Sequence, residues 1–89
     1  MNIMIKEAEM NKDSEGVFLG KTVFEVEGHT QPYEITFHSK KGTDWDYSLH
    51  FHAEPGEEEK LLAVDAFIEE SDEAFDNLLD AALDSNPEL

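Results

Sequence analysis

The chain has 89 residues, 39% of them hydrophobic and 10% aromatic, which is enough for one small domain with a modest core. Its 22 aspartates and glutamates against six lysines give a net charge of −16, with no arginine and no cysteine, whereas a domain of this size needs a charge of only about 2–8 in magnitude for solubility. The balance excludes a disulfide framework and a thiolate zinc site, disfavours nucleic acid and anionic membrane as direct partners, and makes basic proteins or cations the natural attractors.

Residues 3–10 (IMIKEAEM) read as a first strand, with NKDSEG as the turn after it. Residues 17–27 (VFLGKTVFEVE) form the next strand, with Gly20 marking a bulge. In it Thr22, Phe24 and Val26 share one face, and Val23, Glu25 and Glu27 share the other. Pro32 stands at the entrance of a third strand, where its missing N–H is tolerated. Residues 33–39 (YEITFHS) alternate with Tyr33, Ile35 and Phe37 inward. After KKGTD, residues 45–54 (WDYSLHFHAE) alternate again, with Trp45, Tyr47, Leu49, Phe51 and Ala53 inward. Two period-2 runs around a glycine-containing turn make a hairpin. Its register sets His38 opposite Asp46 and His50 opposite Glu34.

Residues 60–69 (KLLAVDAFIE) follow the loop PGEEE. Their apolar side chains scatter around a helical wheel but sort into two faces at period 2, so they are expected as a strand. A helix over residues 57–70 is the rival reading. Residues 72–84 form a helix capped by Ser71 or Asp72, with Phe75, Leu78, Leu79 and Ala82 on its apolar side and Asn86 and Pro87 beyond its end. The expected fold is α+β: an antiparallel meander of four to five strands with one C-terminal α-helix packed on one face.

The charge is uneven. Residues 54–89 carry 13 acids and Lys60 alone. On the C-terminal helix Asp72, Asp76, Asp80 and Asp84 are spaced four apart, so they form a ridge with about 6 Å of rise per step. Each like-charge pair costs roughly 0.2–0.5 kcal/mol. Asp84 near the negative end of the helix dipole adds about 0.3–1 kcal/mol. A solvated face in an acidic protein tolerates such a cost, and adaptation to high salt would raise the charge too. A surface that binds something basic gives the cost a purpose. Glu57, Glu58 and Glu59 in the loop, and Glu69, Glu70 and Glu73 around the start of the helix, would enlarge that surface.

His50 and His52 share one face of a strand, a spacing that can hold a metal. With Glu57 they resemble the His-x-His and downstream glutamate of the cupin pattern, whose flanking glycines and second histidine motif are missing here. Cross-strand pairing with Glu34 explains His50 without a metal. No phosphate loop, EF-hand loop or nucleophile turn is present.

The sequence therefore predicts a non-enzymatic, cofactor-free acidic module that occupies a basic site on a partner protein. A mimic or inhibitor of a nucleic-acid-binding protein is one form of it. The alternative is a small cytosolic structural or adaptor domain whose contact surface is the sheet face away from the helix, with Val23, Leu61 and Phe67 partly exposed. A metal-dependent enzyme using His50 and His52 is the third reading. The absence of cysteine and of any membrane-length apolar run predicts a cytoplasmic protein.

Overall fold

The computed structural model describes residues 1–89. Four strands, β1 (Ile3–Lys12), β2 (Phe18–Val26), β3 (Tyr33–Ser39) and β4 (Asp46–Phe51), pair antiparallel in the order β1-β2-β3-β4. Two helices follow, α1 (Glu58–Glu70) and α2 (Asp72–Asp84), joined by Ser71 alone. The fold is α+β, with both helices on one face of the sheet. The hairpin register is the one the alternation dictates, Glu34 opposite His50 and His38 opposite Asp46. β4 ends at Phe51, and Ala53, expected inward, is exposed past its end.

One expectation fails at residues 58–70, which form α1 and not a further strand. Only Val64 and Ile68 of this segment are fully buried, one turn apart, with Leu61 and Phe67 half-buried beside them. Leu62 is 60% exposed, and Ala63 and Ala66 also face solvent. These outward apolar residues spread the pattern around the wheel and hide the narrow stripe. Helix formers such as Glu, Lys, Leu and Ala decide the local structure instead. The helix layer thus has two members where one was expected.

The core lies between the sheet and the helices. Met10, Phe24, Val26, Tyr33, Ile35 and Phe37 meet Val64, Ile68, Leu78, Leu79 and Ala82 in one cluster. Gly20 is not a bulge: it pairs in register with Met10 and Phe37. Its role is space, because a Cβ there would fall 2.6 Å from the Met10 methyl and 2.8 Å from the Glu9 carbonyl oxygen. The bulge lies in β1, where Lys6 interrupts the pairing between Ile5 and Glu7.

The other face of the sheet carries no helix. Charged side chains cross it in a ladder. Lys21 Nζ lies 3.2 Å from Glu9 and 3.9 Å from Glu34, and Glu34 meets His50 Nε2 and His52 Nδ1, each at 3.1 Å. Long side chains shelter apolar surface with their stems. Val23, in register between Glu7 and Glu34, is accordingly only 3% exposed. Leu61 and Phe67 sit on α1 in the opposite layer. The exposed apolar residues of the open face are Met4 and Leu19; of the three residues expected to be partly exposed there, Val23 lies on this face but is covered, and Leu61 and Phe67 are not on it.

Candidate functional site

The acidic residues of the helix layer are placed by two helix starts, one junction and one ridge. Glu57 precedes α1, and Glu58 and Glu59 occupy its first turn, where free backbone N–H groups favour negative charge. Ser71 ends α1 and caps α2, its Oγ accepting from the Ala74 N–H at 3.2 Å. That one-residue connection sets Glu69, Glu70, Asp72 and Glu73 around a single corner. All of these carboxylates are exposed, as are Asp76, Asp80 and Asp84.

The ridge is not straight. A step of four residues at 3.6 per turn turns by about 40°, so Asp72 and Asp84 differ by about 120° in direction. Glu73, Asn77, Asp80 and Asp84, spaced 4-3-4, make a straighter stripe on the same helix. The 4-3-4 spacing is present in the sequence but is not an i,i+4 row, so Glu73 and Asn77 do not stand out beside the aspartates. Glu57, Glu58 and Glu59 stand at the far end of α1 from Glu69 and Glu70, about 18 Å away along the helix axis. The one-residue connection therefore joins the junction acids to the start of the ridge and leaves the loop acids at the other end of α1.

No cation compensates this layer. All five ion pairs lie on the open sheet face, and Lys60 makes none. Neither helix has a basic residue in its last turn. Glu69 and Glu70 end α1, and Asp84 ends α2, where backbone carbonyls make negative charge unfavourable.

The histidine pair has a different setting. His50 and His52 straddle one carboxylate, each meeting a different oxygen of Glu34. Burial pushes the Glu34 carboxyl up, but hydrogen bonds from His52 and His50 and the charge of Lys21 outweigh it and hold the group below its ordinary value. Lys21 is raised, first by its hydrogen bond to Glu9 and then by the charge of Glu34. No group of three or more histidine, aspartate or glutamate side chains has the geometry to hold a metal ion. Glu34 as the centre of this ladder was missed because His52 lies just beyond β4 and Lys21 reaches it on a diagonal.

Two further polar groups lie near the helix layer. His29 Nδ1 and the Tyr33 hydroxyl share a hydrogen bond of 2.7 Å. The buried Tyr47 hydroxyl makes no hydrogen bond of full geometry, and burial first, then the neighbouring Asp65 and Glu69 carboxylates on α1, push it up to about 12.

No helix is long and apolar enough to cross a membrane. Compared with known proteins, the chain matches no family model, no curated protein and no solved structure at a significant level.

Proposed function

We propose that the protein is a non-enzymatic binding module whose acidic helix layer occupies a basic site on a partner protein. One observation carries this reading. The molecule forms its ion pairs on the sheet face, while the helix layer holds a row of exposed carboxylates without a counter-cation, with Glu69, Glu70 and Asp84 at helix C-termini where negative charge is unfavourable. A sequence with lysines to spare for Glu9, Glu25 and Glu34 uses none for the ridge. Like-charge repulsion there costs stability, and a basic partner turns the same field into attraction and steering.

A partner whose site normally holds phosphates fits this chemistry. A DNA duplex carries one charge per roughly 1.7 Å of axis, and the ridge alone is sparser. The junction acids Glu69, Glu70 and Glu73 raise its density at one end. The setting we infer is cytoplasmic, in keeping with the cysteine-free chain.

The test is capture of a partner from native lysate, elution in salt steps, and direct binding of the recovered protein to variants. Neutralising Asp76 and Asp80 to asparagine should weaken binding several-fold, by the loss of two exposed charges. Neutralising Glu7 and Glu25 on the sheet face should not. Equal affinity for wild type and the Asp76/Asp80 variant would overturn the reading.

An adaptor role for the open sheet face is the second reading, favoured by Leu19, half exposed beside the charge ladder. Loss of partner binding in Leu19→Lys, with Asp76/Asp80 variants unaffected, would select it.

A further inference from the structure

Between α2 and the start of β1 runs an open groove of about 620 Å³, within the roughly 300–1,000 Å³ typical of ligand clefts. Its floor is apolar and built by Ile3, Ile5, Phe67 and Leu78. Ile5 is 43% exposed there. Its rim is acidic. Glu73, Asp80 and Asp84 border it, with Asn77 between them, whereas Asp72 and Asp76 do not. The straight 4-3-4 stripe of α2 is thus the wall of an apolar cleft, and half of the aspartate ridge points elsewhere.

We propose that this groove docks an amphipathic helix of a partner protein, apolar on one side and flanked by lysine or arginine. The proposal rests on the reading of the helix layer as the binding surface and assigns that surface a place and an occupant. Charge complementarity selects the occupant. A second copy of this chain would bring another −16 and its own acidic rim against the first. Anionic lipid would be repelled in the same way. A basic segment is attracted by the rim and buries its apolar side on the floor, the recognition mode of helix-in-groove complexes. The spacing selects a helix over a strand. A helix lying along α2 repeats the same rise, so basic residues at i, i+4 and i+11 meet Asp84, Asp80 and Glu73 in turn. The bulge at Lys6 breaks the β1 edge just beyond Ile5, which shortens any ladder an added strand would form there.

The probe is a synthetic helical peptide with leucines at i, i+3, i+4 and i+7 and lysines on both flanks. Its controls are a scrambled peptide of equal composition and an oligolysine of equal charge. Each is titrated against the full chain at physiological salt by fluorescence anisotropy. The amphipathic peptide should bind about tenfold more tightly than either control, by the apolar surface it covers. Ile5→Ser should remove most of that advantage. Asp80→Asn with Asp84→Asn should weaken the peptide about fivefold, through two lost exposed charge pairs. Asp72→Asn with Asp76→Asn, the same change in net charge away from the groove, should do much less. Amide shift mapping on wild-type protein should place the peptide at Ile3, Ile5, Asn77 and Ala81, a readout that needs no variant to fold. Equal binding of all three ligands, or equal effects of the two aspartate pairs with no shifts at β1, overturns the groove while leaving the acidic layer as a binding surface. No binding by any ligand overturns both.

Discussion

The buried hydroxyl of Thr22 on β2 donates to the backbone carbonyl of Leu78 on α2 at 2.8 Å. This bond joins the sheet to the helix that carries the aspartate ridge. It also explains how a polar side chain sits fully inside the core: its hydroxyl has a partner. Replacing it with valine keeps the shape and removes the donor. Thr22→Val should cost about 1 kcal/mol, the net worth of a typical intramolecular hydrogen bond. Urea unfolding checks it, and an unchanged midpoint would show that the bond contributes nothing net.

Tyr47 is the opposite case, a buried hydroxyl that makes no hydrogen bond of full geometry, with the Asp65 and Glu69 carboxylates nearby. An unsatisfied buried polar group costs about 1–3 kcal/mol. Tyr47→Phe removes it and keeps the ring that packs against Phe75 at 5.5 Å. The variant should be as stable as wild type or more stable, by up to about 1 kcal/mol. A clear loss of stability would mean that the hydroxyl is bonded in solution.

Glu34 ties stability to pH. Its carboxyl titrates lower in the fold than its ordinary 4.5, through His52, His50 and Lys21 against the opposing effect of burial. A group with a depressed folded value contributes stability that is present above its unfolded value. That contribution is lost as pH falls through the folded value. Acid also discharges the helix layer, so the informative quantity is the difference between wild type and Glu34→Gln. It should be largest above pH 4.5 and shrink as pH drops below it. Urea melts of both proteins across this range check it, and a difference that stays constant or grows in acid would contradict the assignment.

The strands were legible because each face of the hairpin keeps one environment along its length. Tyr33, Ile35 and Phe37 are buried in the core, while Glu34, Thr36 and His38 pair across the open face, so period 2 survives in the sequence. α1 was not legible for the converse reason. Leu62, Ala63 and Ala66 are apolar and exposed, and they blur a stripe only a few residues wide. Val23 shows a second limit. Alternation places it correctly on the open face but cannot show that its neighbours' stems bury it. Of the acidic surface, exposure and row spacing could be read directly. Which aspartates line a cleft depends on where β1 begins beside α2, a tertiary fact that no helical wheel contains.

Salt should stabilise the fold. Three ridge pairs and the acids at helix C-termini cost on the order of 1–2 kcal/mol at low ionic strength. Screening weakens such exposed repulsion, and in a domain of this size 1 kcal/mol moves the melting temperature by about 4–8 °C. Thermal melts at low and moderate NaCl should therefore rise by several degrees. A flat or falling Tm would mean that the open-face ion pairs, which salt weakens, outweigh the ridge.

The central claim is that the helix layer spends stability on attraction to a basic partner. Replacing Asp76 and Asp80 with asparagine removes the central like-charge pair and relieves both outer ones, so the helix should gain a few tenths of a kcal/mol. The same change should slow association with the recovered partner, since exposed charges act chiefly on the encounter rate. Lysine at both positions should slow it further by repelling the basic site. The direct measurement is the stopped-flow association rate of that partner with wild type, the asparagine variant and the lysine variant. The account predicts rates that fall in that order, with differences that narrow as salt is added. Three equal rates would contradict it.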